Sequence, residues 1–286
     1  MNIFFGKFKL QRIGIIVAVL LLFAASAAGC GKNAIQTTTG ATSTTPSTTT
    51  TIFTTLSTTS QTTSLGGPIG YDPYAITNGT DGNIWFTEPN HNGDKIGKIS
   101  PINGAVTEYD LTAASVGWDG IASGPDGNLW FTQPYENEIG KISPIGKVTE
   151  YPVPTVNAAP VGITSGPDGN LWFTEDNGNK IGKISPTTGT ITEYILPYNY
   201  AYPNAIAAGP DGNLWFTEYQ GNNIGKISPA TGVITEYAIP GSNYGNITNG
   251  ITSGSDGNIW FALGLEHKIG KISPDTGTIT EYPINN

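Results

Sequence analysis

Between Pro160 and Leu196 the chain reads PVGITSGPDGNLWFTEDNGNKIGKISPTTGTITEYIL. Apolar and polar positions alternate there in four short runs: Gly162–Ser165, Leu171–Glu175, Lys180–Ser185 and Ile191–Ile195. A period of two places alternate side chains on opposite faces of a strand. Turn residues separate the runs. Pro167–Asn170 is a Pro-Asp-Gly-Asn hairpin signal, because Asp and Gly tolerate positive φ. A Gly/Asn turn and a Pro-Thr-Thr-Gly turn follow. No segment keeps a helical period over ten residues. The pattern predicts a four-stranded antiparallel unit.

The unit occurs five times. Its Trp residues are Trp85, Trp130, Trp172, Trp215 and Trp260, spaced by 45, 42, 43 and 45 residues. A fixed period of this length signals a propeller or a solenoid, and four hairpin-linked strands per period favour propeller blades. The fold expected is all-β, a five-bladed propeller over residues 67–286, with blades at 73–111, 117–153, 160–196, 203–239 and 248–284. Neighbouring Trp and Phe side chains must point to opposite faces, so both are expected between adjacent blades. The Gly of each Ile-Gly-Lys-Ile run is assigned to blade-to-blade packing. The Tyr of each Thr-Glu-Tyr run is placed over the outer blade edge. The Asp-Gly-Asn turns lack the succession of acids a calcium loop needs and read as turns. If the first and last blades meet, the ring closes by side-chain packing alone. An open arc would expose apolar edges and invite self-association.

Ahead of the repeats the pattern changes. Lys7, Lys9 and Arg12 precede an apolar run, Ile13 to Ala25, then small residues and Cys30, the one cysteine in the chain. The run is shorter than the roughly 20 residues of a spanning helix. It resembles a lipoprotein signal over residues 1–30, with Cys30 as the lipidated residue, although Ala27 stands where such signals usually carry Leu. The alternative is an uncleaved anchor helix. Either route exports the chain to the outer face of the membrane or the cell surface, or secretes it, and membrane attachment is confined to this end. Residues 31–66 are dominated by Thr and Ser and bury too little to order a backbone, so they read as a disordered stalk. Asn78 and Asn246 lie in glycosylation sequons. Removing the signal leaves ten basic against 22 acidic residues, a formal charge of −12. That balance argues against a nucleic-acid partner.

The repeat "GPDGNLWFTE…NKIGKISP…GTITEY" resembles the streptogramin lyase family, with virginiamycin B lyase-like propeller repeats, over roughly residues 70–286. The resemblance implies a seven-bladed propeller, a magnesium ion and a histidine base that opens a cyclic depsipeptide ester by elimination. The matching positions depart from the pattern. A substrate-side histidine corresponds to Asn204, a metal-binding glutamate to Ile247, the catalytic histidine to Asn249 and a second metal-binding glutamate to Gly264. An asparagine amide cannot accept a proton at neutral pH, and neither Ile247 nor Gly264 offers a carboxylate. The two histidines, His91 and His267, lie in loops between second and third strands. Glu266 and His267 are the weak candidates for a substitute acid/base pair. No cofactor is expected, with magnesium only if lyase-like activity is retained, and no metal-binding residues are assigned.

Positions that vary while the framework repeats mark a face free to specialise. They are Tyr74, Asp119, Val161, Asn204 and Asn249 at the start of the first strands, with Asp176 and Tyr219 four residues after a Trp. Acids, amides and aromatics at such a mouth suit a small polar ligand, a glycan or a surface protein. The function expected is therefore a membrane-anchored binding or scaffold module, with a lyase-like enzyme as the alternative.

Overall fold

The structure, a computed structural model, describes residues 40–43, 50–53, 73–89, 94–111, 120–241 and 247–284. The chain divides into two units, Met1–Leu65 and Gly66–Asn286. In the first, β1 (Gly40–Ser43) pairs with β2 (Thr50–Phe53) as an antiparallel hairpin. The signal, Cys30 and the rest of the Thr/Ser segment lie outside the described residues. Among the described residues, no helix is long and apolar enough to cross a membrane.

The second unit is all β. Blade 1 holds β3 (Ile76–Asn78), β4 (Ile84–Glu88), β5 (Lys95–Ile99) and β6 (Val106–Asp110). Blade 2 holds β7 (Ile121–Ser123), β8 (Leu129–Gln133), β9 (Glu138–Ile142) and β10 (Val148–Pro152). Blade 3 holds β11 (Pro160–Ser165), β12 (Leu171–Glu175), β13 (Lys180–Ile184) and β14 (Ile191–Ile195). Blade 4 holds β15 (Pro203–Ala208), β16 (Leu214–Glu218), β17 (Asn223–Ile227) and β18 (Ile234–Ala238). Blade 5 holds β19 (Ile247–Ser253), β20 (Ile259–Leu263), β21 (Lys268–Ile272) and β22 (Ile279–Pro283). Each blade is one antiparallel sheet in chain order, as the alternation predicts.

One joint recurs four times. The Trp face of a blade packs on the Phe face of the next. Trp130 and Ile139 of blade 2 meet Ile163, Leu171, Phe173 and Ile184 of blade 3. Trp172 and Ile181 meet Ile206, Leu214, Phe216 and Ile227 in the same way. Trp215 with Phe261, and Trp85 with Phe131, complete the series. Each Phe fully buried contributes roughly 1.5–3 kcal/mol of transfer free energy, so these joints are the cores of the fold.

The Asp of each Asp-Gly-Asn turn holds the indole of its blade, which is buried in blades 1 to 4. Asp168 Oδ1 accepts from Trp172 Nε1 at 2.9 Å, and its Oδ2 accepts from Asn170 Nδ2 at 2.8 Å. The same clamp recurs at Asp81, Asp126, Asp211 and Asp256. Burial alone would raise the Asp168 carboxyl. The donors on Trp172 and Asn170 and the charge of Lys183 outweigh it and hold the group below the usual carboxylate range. On the outer side Tyr194 stacks on Trp172 at 5.5 Å, with Lys183 Nζ 5.3 Å from the indole centroid. The repeated Tyr therefore covers its own blade's Trp, and its ring also lies on the turn glycine of the following blade. A Cβ at Gly189 would sit 2.3 Å from a Tyr151 ring carbon.

The glycine of Ile-Gly-Lys-Ile has a different job from the one expected. Gly182 pairs directly with Phe173 across β12 and β13. A Cβ at Gly182 would lie 2.1 Å from the Phe173 ring. The glycine clears room for a ring of its own blade to lie flat on the sheet, and only through that ring does it serve the joint.

Among the described residues the five blades form an arc, with no packed joint between its first and last blades. Among the described residues, the first strands of neighbouring blades are in contact from β3 to β19, whereas no core cluster joins blade 5 to blade 1. Ile76 of blade 1 is 72% exposed, while its counterparts Ile121, Ile163 and Ile206 are each 8% exposed. A Cβ at Gly104, the blade 1 counterpart of Gly189, would meet nothing within 4 Å.

Candidate functional site

The inner strands break register at one end. β11 pairs Pro160 with Glu175 and then Ile163 with Phe173, leaving Val161 and Gly162 as a bulge. β15 does the same at Asn204 and Ala205, and β19 does so between Ile247 and Ile251. A bulge re-aims a side chain and bends its strand, and it recurs beside binding sites. Here it also turns a carbonyl toward the preceding blade. Thr132 Oγ1 donates to Val161 O at 2.7 Å, and Thr174 Oγ1 donates to Asn204 O at 2.6 Å. Gly162 tolerates this approach because a Cβ there would lie 2.4 Å from Asn204 O.

The bulges open onto a cleft of about 1280 Å³ at the mouth of the arc. Its polar walls are Asn157, Asp176, Asn177, Asn204 and Gln220, and its aromatic walls are Tyr135, Tyr202 and Tyr219. Pro134, Ala159, Val161, Gly250 and Ala262 complete the lining. Asp176 also edges a smaller neighbouring cleft of about 480 Å³ with Asn199 and Tyr200.

The segments between blades are held in unusual backbone. Asn157, Ala159, Tyr200 and Tyr202 have φ of 55°, 52°, 64° and 52°. Asn adopts left-handed backbone readily, whereas for Ala and Tyr it is costly and persists where surroundings enforce it. Asp176 N donates to Ala159 O, and Tyr219 N donates to Tyr202 O, each at 3.0 Å. From below, Asn137 donates to Val153 O and Thr155 O and accepts from Ala158 N. Asn179 repeats the brace with Tyr198 O and Ala201 N. Loop, connector and bulge thus form one wall.

Burial sets the electrostatics at the rim and just beneath it. Burial pushes Asp176 up to about 6. Just beneath it Glu175 is fully buried and pushed up to about 8, by burial first and then by the charge of Glu193. Burial likewise raises Glu218 to about 8, although Asn223 Nδ2 donates to it at 2.8 Å. Glu193 takes the opposite course. Burial would raise it, but Lys180 and Thr155 donate to it and hold it low.

Of the seven ligand-face positions singled out from sequence, Val161, Asn204, Asp176 and Tyr219 line the cleft. Tyr74 is half-exposed on blade 1 and does not line it. Asp119 and His91 lie outside the described residues, as does the side chain of Asn249, whose neighbour Gly250 lines the cleft. Neither Glu266 nor His267 lines it. Lys268 Nζ donates to Glu266 at 2.7 Å, and His267 is exposed. With φ 52°, His267 occupies the left-handed position that Asn137, Asn179 and Asn222 fill in other blades. Sequence reasoning missed Tyr135, Asn157, Asn177, Tyr202 and Gln220. Asn157 and Tyr202 lie between repeats, where no alternation points to them.

The magnesium ion implied by the resemblance needs several oxygen ligands. The cleft lining offers one carboxylate, Asp176, and the described residues include no group of three His, Cys, Asp or Glu placed to hold a metal.

No curated protein matched the chain. A structure of a catalytically inactive virginiamycin B lyase from Staphylococcus aureus with quinupristin is 42% identical, with TM-score 0.69, over 76% of this chain and 71% of that one. A streptogramin B lyase structure is 41% identical, with TM-score 0.69, over 76% and 70%. Kuenenia stuttgartiensis hydrazine synthase, at 17% identity and TM-score 0.61 over 79% and 70%, shares the fold alone. The virginiamycin B lyase family profile matches residues 57–286, and the chain belongs to that family.

Proposed function

We propose that the protein binds a cyclic, peptide-like small molecule in the mouth cleft and releases it unopened. The observation that carries this reading is the lining itself. Three tyrosines supply stacking area and four amides supply paired donors and acceptors, which is the make-up of a small-molecule site. The family relationship supports the ligand class, since a related lyase has been crystallised with quinupristin. The departures at Asn204, Ile247, Asn249 and Gly264 support binding without elimination. An N-terminal lipid or anchor and the Thr/Ser stalk would display the cleft outside the membrane.

Titration of the full chain with quinupristin by calorimetry, with chromatography and mass spectrometry of the same samples, tests the proposal. Saturable binding is expected, weakened about tenfold by Tyr219→Ala, with the ligand recovered intact. No saturable binding overturns it.

One observation favours a second reading, ring-opening elimination. Asp176 faces the cleft with its carboxyl pushed up to about 6, within reach of a general base's working range. Time-dependent ring opening that is lost in Asp176→Asn would establish that reading and overturn the first.

A further inference from the structure

The two ends of the arc are the two halves of the joint that the chain makes four times. Blade 5 presents a Trp face. Trp260, Ile269 and Tyr282 are each partly exposed there, whereas Trp130 and Ile139 of blade 2 are buried. Tyr282 stacks on Trp260 at 5.6 Å with Lys271 over both rings, so this half-joint is already assembled. Blade 1 presents a Phe face. Phe86 and Ile84 are only partly buried, while Ile76 and Val106 are exposed. Their counterparts one blade on are Phe131, Leu129, Ile121 and Val148, which all pack against the Trp face of blade 1.

We propose that the protein associates head to tail with a second copy of itself, blade 5 of one molecule seated on blade 1 of the next. The internal joints show between them what the contact contains. Tyr282 would lie on Gly104 of the neighbouring copy, as Tyr109 lies on Gly146 and Tyr151 on Gly189. Lys98 Nζ donates to Pro144 O of the following blade at 2.8 Å, and Lys271 would reach Pro101 O of the second copy in the same way. Ser165 Oγ donates to Ser123 O, and at the new joint the Asn78 amide would meet Ser253 O. The inner rim contributes less. Ala262 stands where Thr132 and Thr174 donate to the next blade's bulge, so that hydrogen bond is missing and the joint is weaker than the internal ones. A second copy is the occupant favoured here because each end complements the other end of the same repeat, and among the described residues of one molecule no core cluster joins the two. The contact is heterologous, so it propagates unless the rotation closes it.

Substitutions at exposed positions test this on the full chain in mild detergent, with mass measured by light scattering. Tyr282→Asp blocks the Trp end and leaves the Phe end; Ile76→Asp does the reverse. Wild type should gain mass with concentration up to about 100 µM. Each variant alone should stay a single copy, and an equimolar mixture should form a capped dimer. Val106→Asp should behave as Ile76→Asp does, and near-UV circular dichroism confirms that the blades remain folded. A wild-type chain that stays monomeric throughout overturns the proposal, as it would if the arc closed on itself. So does association of either variant with itself as strong as that of wild type, which would place the contact elsewhere.

Discussion

The two rims of the arc are built on opposite plans. At the Asp-Gly-Asn rim all five blades carry one device, a carboxylate that accepts from a Trp indole four residues on. At the mouth rim the same repeat position is Pro89, Pro134, Asp176, Tyr219 and Gly264. The first rim fixes the depth of the Trp in each joint, so any change there is felt by two blades. The second stands on the bulges and connectors above the joints, and its side chains can change without moving a core. The repeat thus separates the positions that hold the cores from the positions free to vary along the length of each strand.

The largest test of that separation lies in the joint itself. Phe173→Ala should cost about 3–5 kcal/mol in denaturant unfolding. Gly182→Ala should cost about 1–3 kcal/mol, because its Cβ would lie 2.1 Å from the Phe173 ring. Together the two should cost clearly less than their sum, since removing the ring frees the space for the methyl. Additive costs would break the assignment of this glycine to its own blade's Phe.

The rims come next. Asp168→Ala removes a charged acceptor from a buried indole and should cost about 1.5–3 kcal/mol. Tyr219→Ala at the mouth should stay within about 0.5 kcal/mol of wild type in the same unfolding experiment. Equal losses would erase the distinction.

The smallest test concerns pH. Glu175 and Glu218 are pushed up to about 8 from an ordinary 4.5, so the folded protein holds protons that the unfolded chain releases. Their stabilising, protonated state is complete below pH 4.5 and is lost as pH rises toward 8. The clamp carboxylates, held below their ordinary 3.8, act at the other end: their stabilisation is present above that value and lost as pH falls below it. Unfolding temperature should therefore peak in mild acid. Glu175→Gln should raise it at pH 8 and flatten the alkaline slope, and Gln133 already plays this part in blade 2. An unchanged slope would show that Glu175 is ionised in the folded state.

Much of the fold was legible from alternation. Strands expected at Leu171–Glu175 and Ile191–Ile195 are found with those bounds, and Lys180–Ser185 ends one residue earlier. Opposite facing of Trp172 and Phe173 follows from the strand period, and both lie in joints. The mouth was half legible. Asp176 and Tyr219 stand out because they vary inside a constant frame. Tyr202 and Asn157 do not, because their placement depends on left-handed connectors that Asn137 and Asn179 brace from a neighbouring turn. The bulges were illegible for a related reason: they arise when Pro160 is pinned opposite Glu175, a pairing set by the blade and not by the local residues. The role of Gly182 was misread because a glycine within a strand does not say which neighbour needs the room.

The open arc also governs how the protein comes apart. A closed ring gives every blade two neighbours, whereas an arc leaves its first and last with one. Amide exchange should then be graded, fastest in the outer strands of blades 1 and 5 and slowest in blade 3, with loss of order entering from the ends as in a stack of repeats. The Trp172 and Trp215 indoles, each sealed between two sheets, would be the last to meet water.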